Sequence, residues 1–376
     1  MSGAWEFIKR HKGKIIALGA LTGAAAGSAY AYYTQQEAQQ HLLSSLSENE
    51  FRFQPRRHFV FNAQQRACDK SIRDIVPNLS SLIEDRFPIE QLTEKLKQNS
   101  DMSVEEKVEI WEKIKVLSVA RIMGVAYSYS LLTLALKSQI SILAADICTE
   151  FERTICYTPT WLDTIKTQVE NLLGYQAEPI RDPYIEVNSK QVASNRQVFI
   201  RCIEYLTTTG VAKLLSVIEE TCKEFCAPIS LTDRVNQDSL RDVLDQIDGK
   251  LSELEPCFFS KLVAPLSEEE RVSEDGVLQL LTRLVKALES KECRETLVSL
   301  VDFYLTAAVH KAPEEPEVLA KLLPSMSDVY YFISTDGYDS PLQNSLCSSD
   351  VDNFAGFVFG LTKQPALGSA LIAQYK

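Results

Sequence analysis

The sequence predicts an all-α protein, a single elongated helical bundle built on one long central helix and preceded by an N-terminal transmembrane helix. Glycine is absent from residue 28 to residue 123, and proline is absent from residue 89 to residue 158. Such gaps suit long helices and would be unusual in a turn-rich β protein. The 376 residues are 45% hydrophobic, which is enough for a substantial core.

The first element is predicted from charge. A basic cluster is followed by an uncharged run of 22 residues from Ile15 to Gln36. That run is long enough to cross a hydrocarbon core of about 30 Å as a helix. We therefore expect a targeting segment at 1–14, a transmembrane helix at 15–36, a stalk at 37–57 and a helical-bundle domain at 58–376. The basic residues of the targeting segment are Lys9, Arg10, Lys12 and Lys14.

Two alternatives exist for this first segment. A cleaved secretory signal has the same basic-then-apolar order, and Ala29 and Ala31 offer small residues at a cleavage spacing. Against it, the uncharged run exceeds the usual apolar region of roughly 7–15 residues, and it ends in tyrosines typical of a membrane interface. A surface-lying amphipathic helix is disfavoured because the whole circumference is apolar or small.

The central helix is the strongest predicted element. Ser103 and Glu106 form a capping-box pattern, and the chain then runs to Phe151 with Gly124 as its one helix breaker. Within it, the uncharged stretch Ile122–Leu136 could be mistaken for a second membrane span. At 15 residues it is more typical of a fully buried core helix.

Shorter helices are expected around the central one, with Gly210, Gly174 and the prolines marking their ends. Their expected bounds are about 62–85 with a kink at Pro77, 89–97, 160–173, 189–206, 211–225, 238–254, 275–290, 292–309, 316–323 and 351–361.

Composition excludes several functions. The net charge is −12, and an acidic chain lacks the basic face that nucleic acid requires. The nine cysteines are an odd number without a CxxC pair, which favours a reducing compartment, and the four histidines have no partner at zinc spacing. No nucleotide loop, nucleophile elbow or metalloprotease motif is present. We therefore expect no enzyme activity, cofactor, metal or small-molecule substrate.

A docking surface is the alternative to a catalytic site. On the central helix, Val104, Val108, Trp111 and Lys115 follow one another at helical spacing, beside the stripe expected to face the core. Such a surface suits a helix-in-groove interaction. On these residues alone, a tryptophan at the edge of the core is the more economical interpretation of Trp111.

Four stretches of the chain resemble the peroxin-3 family of peroxisomal membrane anchors. They are WEFIKRHKGK at 5–14, HFVFNAQQRAC at 58–68, KVEIWEKIKVLSVARIMGVAYS at 107–128 and VLAKLLP at 318–324. The resemblance covers almost the full length, and the order and spacing of the stretches carry it rather than any single motif.

The resemblance implies a docking receptor for peroxin-19, the soluble chaperone-receptor for new peroxisomal membrane proteins. An amphipathic helix of peroxin-19 would lie in a hydrophobic groove in which Trp111 matches the central tryptophan. Lys107, Lys321 and Leu96 match further groove positions, and Val108 and Lys115 lie beside them on the central helix. On this view the interpretation of Trp111 reverses from core residue to binding residue.

Topology and localisation also follow from the resemblance. It places the chain in the peroxisomal membrane with its body in the cytosol, and leaves a route through the endoplasmic reticulum open. The positive-inside rule would instead put the basic N-terminus in the cytosol. A helical adaptor or tether on another organelle, and a membrane-bound enzyme with an unrecognised site, remain the competing hypotheses.

Overall fold

The computed structural model describes residues 57–98, 102–156, 195–196, 198–267, 270 and 276–360. The predicted targeting segment, transmembrane helix and stalk, and the helix expected at 160–173, lie outside these residues. The chain divides into two compact units, Met1–Phe59 and Val60–Lys376. The description below concerns the second.

The described part of this unit is helical apart from one two-stranded sheet, which confirms the all-α prediction. In chain order the elements are α1 (57–86), α2 (Ile89–Gln98), α3 (Val104–Cys156), α4 (Cys202–Tyr205), a π-turn (Leu206–Gly210), α5 (Val211–Cys226), β1 (Arg234–Val235), α6 (Gln237–Ser252), α7 (Pro256–Val263), α8 (Gly276–Leu288), α9 (Lys291–Lys311), β2 (Glu317–Val318), α10 (Leu319–Ser334), α11 (Pro341–Leu346) and α12 (Ser349–Phe359).

The central helix α3 begins at the predicted cap. The Ser103 backbone N–H donates to the Glu106 carboxylate at 3.0 Å, and the Glu106 N–H donates to the Ser103 hydroxyl at 3.1 Å. These two bonds form the capping box, which satisfies backbone donors that a helix start otherwise leaves free.

Burial identifies α3 as the core of the unit. Every residue from 117 to 139 is buried, and the helix packs against α2, α5, α8, α9, α10 and α12. Within the described residues, Val104–Thr149 is the one helical stretch with the length and composition to cross a membrane, and 83% of its apolar window is buried inside the protein. The prediction that Ile122–Leu136 is a buried core helix is therefore confirmed.

Two polar residues of α3 pair with residues of α1 within this core. Lys137, which is fully buried, places its ammonium 2.6 Å from the Asp69 carboxylate on α1. One turn further on, the Gln65 amide of α1 donates to the Ser141 hydroxyl at 3.1 Å. Burying a charge is costly unless it is paired, so these contacts fix α1 against α3 in one register.

The small sheet holds two distant loops together. Arg234 pairs with Val318 and Val235 with Glu317 in antiparallel register. The contact continues into α10, because the Leu319 N–H donates to the Asp233 carbonyl at 2.9 Å. The start of α10 is thus fixed to the segment that precedes α6.

Two predicted helix ends are wrong. The helix expected to stop at 323 continues as α10 through Pro324 to Ser334. An interior proline costs about 3 kcal/mol, and α10 offsets this by burying apolar side chains on both sides of Pro324, including Leu322, Leu323, Met326 and Val329. Gly210, expected to end a helix, has helical backbone angles (φ −63°, ψ −51°) and lies within a continuous π-turn.

Two short helices, α7 and α11, and the two-stranded sheet are additional to the predicted elements. Both helices carry proline at their first turn, where its missing N–H removes no intrahelical bond. In the sequence these prolines resemble turn signals. At Pro77 the chain remains helical throughout 57–86.

Candidate partner-binding groove

A surface groove of about 300 Å³ lies between α2, the first turns of α3 and α10. It is lined by Ile89, Glu90, Thr93, Glu94 and Lys97 from α2, by Trp111 and Ile114 from α3, and by Leu323, Pro324 and Ser327 from α10. Apolar side chains from α3 and α10 therefore meet polar and charged side chains from α2. Such a mixed lining suits an amphipathic ligand.

Trp111 is half-buried, with one part of its ring against the core and another in the groove. One turn before it Val108 is 47% exposed, and a further turn back Val104 is 72% exposed. Residues at i, i+4 and i+7 share one helix face. An exposed apolar strip on α3 therefore runs toward the tryptophan and the groove.

The other predicted site residues lie around this groove rather than in its lining. Leu96 is half-buried on α2 and packs against the core, one residue before the groove residue Lys97. Lys107 is half-buried in the first turn of α3, and Lys321 is exposed on α10, one turn before Pro324. Leu96, Trp111 and Lys321 lie on α2, α3 and α10. Both α2 and α10 pack against α3, so the fold brings together helices that are far apart in the sequence.

Lys115 was expected to lie beside the groove residues, but its side chain points into the protein. Its side chain is 3% exposed and its ammonium lies 2.5 Å from the Glu112 carboxylate. The same ammonium donates to the Ile229 carbonyl at 2.6 Å. Lys115 lines a second cavity, on the side of α3 that faces α6 and β1.

An arginine that sequence reasoning did not select supports the groove wall. Arg121 is fully buried, and both terminal nitrogens of its guanidinium donate to the Glu90 carboxylate at 2.5 Å. Its Nε donates to the Phe87 carbonyl at 2.9 Å, and the guanidinium lies 5.0 Å from the centroid of the Tyr330 ring. The arginine therefore connects α3, α10 and the start of α2.

The pairing of Arg121 with Glu90 changes the pKa of the glutamate. The hydrogen bonds from Arg121 lower the pKa of Glu90, outweighing the partial burial that opposes ionisation. Glu90 is therefore held as a carboxylate at one end of the groove. The available sequence signal was Arg121 itself, a charge placed directly before the long uncharged run of the central helix.

Two further features of the sequence concern metal binding and targeting. Among the described residues, no group of three or more His, Cys, Asp or Glu side chains is arranged to hold a metal ion. The targeting residues Lys9, Arg10, Lys12 and Lys14 lie outside the described residues.

Fold and groove together define an all-α protein with one buried central helix and a half-exposed tryptophan in a charged-and-apolar surface groove. The Peroxin-3 family model matches residues 98–147, a range that contains Lys107 and Trp111. The resemblance of this chain to the peroxin-3 family is confirmed by that match and by its relatives.

Three relatives illustrate the similarity. Peroxisomal biogenesis factor 3 of Rattus norvegicus is 25% identical over 260 residues, 68% of this chain and 59% of the relative. The Homo sapiens protein of the same name is 24% identical over 250 residues, 66% and 57% of the two chains. Peroxisome biogenesis protein 3-1 of Arabidopsis thaliana is 22% identical over 255 residues, 65% and 62%. The chain thus spans less than two thirds of the length of each.

Proposed function

We propose that this protein acts in peroxisome biogenesis as a membrane-anchored docking receptor that binds an amphipathic helix of peroxin-19. The proposal concerns a binding function without catalysis. The observation that carries it is Trp111, a half-buried tryptophan in a groove between three helices, within the range that the Peroxin-3 family model matches.

The physical argument begins with the apolar part of the groove. A tryptophan that is fixed on one side by the core offers a large rigid contact area at little entropic cost, and tryptophan is enriched among binding hot spots. Leu323 and Pro324 form the facing wall, and Val108 extends the apolar surface along α3. An amphipathic helix could bury its apolar face against these side chains.

Charge would set the register of the bound helix. Lys107 and Lys321 lie on α3 and α10 near the groove, and Lys97 lines it. Acidic side chains on the partner helix would be attracted to these lysines. Charges at the rim of an interface mainly change the association rate and orientation, so we assign them a smaller share of the affinity.

The test is a titration of the full chain, reconstituted in lipid nanodiscs, with the amphipathic peroxin-19 peptide. Trp111→Ala should weaken binding at least tenfold, which corresponds to about 1.4 kcal/mol, because the apolar contact at the centre of the groove is lost. Isothermal calorimetry measures the affinity directly.

The matched control is Phe357→Ala on α12, which also truncates an exposed aromatic side chain, outside the groove. It should leave the affinity unchanged. Equal affinity of Trp111→Ala and the unaltered chain would contradict the proposal, as would loss of the far-UV helix signal in Trp111→Ala.

We also propose that the protein resides in the peroxisomal membrane with its helical body in the cytosol. The names of its relatives support the organelle, and the uncharged run at 15–36 supports the anchor. Protease added to intact peroxisomes should remove the body, as followed with an antibody against residues 276–360. Protection of that body, or imaging that places the first 45 residues on another organelle, would favour a different tether.

A further inference from the structure

A second cavity lies next to the groove between α3 and α10, and Leu323 lines both. Its volume is about 330 Å³, and it is bordered by α3, α6, α10, β1 and the loop that follows α5. Ligand pockets in proteins typically begin at about 300 Å³. The cavity is therefore large enough for a small ligand, and apart from Leu323 its lining differs from that of the groove.

The walls of this cavity are mostly apolar. The apolar lining includes Leu322 and Met326 from α10, Val119 from α3, and Leu240 and Val243 from α6. Methionine adapts its shape readily to irregular ligands. An apolar space of this size favours an aliphatic chain over water.

The polar feature of the cavity is the ammonium of Lys115, a residue that is 2% exposed. A lysine ammonium has three N–H donors. One is directed to the Ile229 carbonyl at 2.6 Å and one to the Glu112 carboxylate at 2.5 Å. The third has no acceptor among the described residues, so an oxygen inside the cavity would complete its coordination.

The remaining charges show where an anion could bind. Arg234 lines the cavity at an exposed position and forms no ion pair among the described residues. Asp233 and Asp242 also line it at exposed positions, and Asp233 accepts the Ser230 N–H at 2.8 Å. These two carboxylates would repel an anion, as would the Glu112 carboxylate that pairs with Lys115. The favourable contact for a negative headgroup is therefore the N–H of Lys115 that neither Glu112 nor Ile229 accepts.

We infer that this cavity is a binding site for an aliphatic carboxylate, a fatty-acid-type ligand whose headgroup accepts a hydrogen bond from Lys115 and whose chain lies against α6 and α10. A buried carboxylate requires a hydrogen-bond donor, and Lys115 supplies one N–H beyond those directed to the Glu112 carboxylate and the Ile229 carbonyl. The apolar walls match the chain, and the ammonium distinguishes a carboxylate from an alcohol or an amine.

The test uses the full chain in lipid nanodiscs and a decanoic acid that carries a photoreactive diazirine. Mass spectrometry of the crosslinked peptides should locate the label on segments that line the cavity, in 226–243 or 319–326. Unlabelled decanoate should compete at least tenfold better than decanol or decylamine, because an ionised acceptor makes a stronger hydrogen bond with the Lys115 ammonium than a hydroxyl does, and a protonated amine is repelled by it.

Two variants and one control complete the design. Val243→Phe fills the cavity from a half-buried position, and Lys115→Met removes the donor while keeping the length of the side chain. Each should reduce labelling at least tenfold. Lys113→Met changes an exposed lysine on the same helix outside the cavity and should leave labelling unchanged.

The two variants also keep the inference falsifiable if one of them is unstable. Circular dichroism identifies a variant that has lost its fold, and Val243→Phe then decides without Lys115→Met. Labelling spread over the surface, labelling that persists in a folded Val243→Phe protein, or equal competition by decylamine would overturn the inference. Absence of any labelling would overturn it as well.

Discussion

Arg121 shows how one buried residue connects three helices. Its guanidinium has no exposed surface, yet it binds the Glu90 carboxylate, the Phe87 carbonyl and the face of Tyr330. Removing one member of such a set leaves a buried charge without its partner, which is more costly than losing the contact alone. Since Glu90 lines the groove, this pair also determines the shape of the groove wall.

Glu90→Gln should lower the free energy of unfolding by about 1 kcal/mol at pH 7, because Arg121 loses the carboxylate that it binds. Hydrogen bonds to ions contribute more in a fully buried site, but the Glu90 side chain is 51% exposed, so solvent screening reduces the effect. Urea denaturation followed by circular dichroism measures the difference. Glu94→Gln, one turn further on the exposed face of α2, is the matched control and should cost less.

The same pair predicts a pH dependence. Arg121 lowers the pKa of Glu90 in the folded protein, so its stabilisation is complete above the ordinary glutamate pKa of 4.5 and is lost as the pH falls through the lower folded value. The stability difference between the unaltered chain and Glu90→Gln should therefore shrink on acidification below about pH 4.5. A difference that stays constant down to pH 3 would argue against the assignment.

At the scale of elements, the π-turn at Leu206–Gly210 shows why a glycine can be required inside a helix. Gly210 has ordinary helical angles, so its conformation does not demand glycine. A Cβ atom at this position, however, would lie 2.1 Å from the Leu262 carbonyl oxygen at the end of α7. The absence of a side chain is what allows α7 to pack directly on the turn.

Gly210→Ala should therefore destabilise the protein by about 1–3 kcal/mol or more, because backbone atoms of α7 must move to remove the overlap. The matched control is Gly249→Ala in α6, where a Cβ meets no atom within 4 Å. That substitution should stabilise the protein by about 0.5–1 kcal/mol through higher helix propensity. Thermal unfolding compares the two, and equal effects would contradict the close-approach explanation.

At the scale of the whole molecule, the burial of the cysteines shows how well the core excludes solvent. Cys222 and Cys226 are unbridged cysteines buried on one face of α5, where they pack as small apolar side chains. Burial raises the pKa of Cys68 and of Cys293 to about 12, and raises that of Cys222 well above its ordinary value. Their thiolate forms are therefore scarce in the folded state.

Thiol labelling should distinguish these cysteines from the exposed Cys347 of the segment after α11. At pH 8 a maleimide should modify Cys347 at least tenfold faster than Cys222 or Cys293, because the buried thiols react only after the core opens. Peptide mapping by mass spectrometry gives the individual rates, and a mild denaturant should make them converge. Similar rates in the native protein would show that the core is more open than described.

Local sequence signals predicted most of the helices because their information is local. Helical spacing, the Ser103–Glu106 cap and the long interval without proline concern neighbouring residues, and α3 begins and runs as expected. The same local signals predicted that the helix containing Leu319 ends at 323 and that Gly210 breaks a helix. Both errors arise because burial of distant side chains, rather than local preference, decides whether a helix continues.

Periodicity, capping and the order of local stretches are sufficient to predict the all-α class, the buried central helix and the resemblance to the peroxin-3 family. The groove that α2, α3 and α10 form around Trp111 becomes visible only in the folded chain, as does the inward turn of Lys115 to the Ile229 carbonyl, 114 residues away in the sequence. The physical reason is that a side chain's direction and partners depend on which helices pack against it. That packing is fixed by apolar contacts between residues far apart in the sequence.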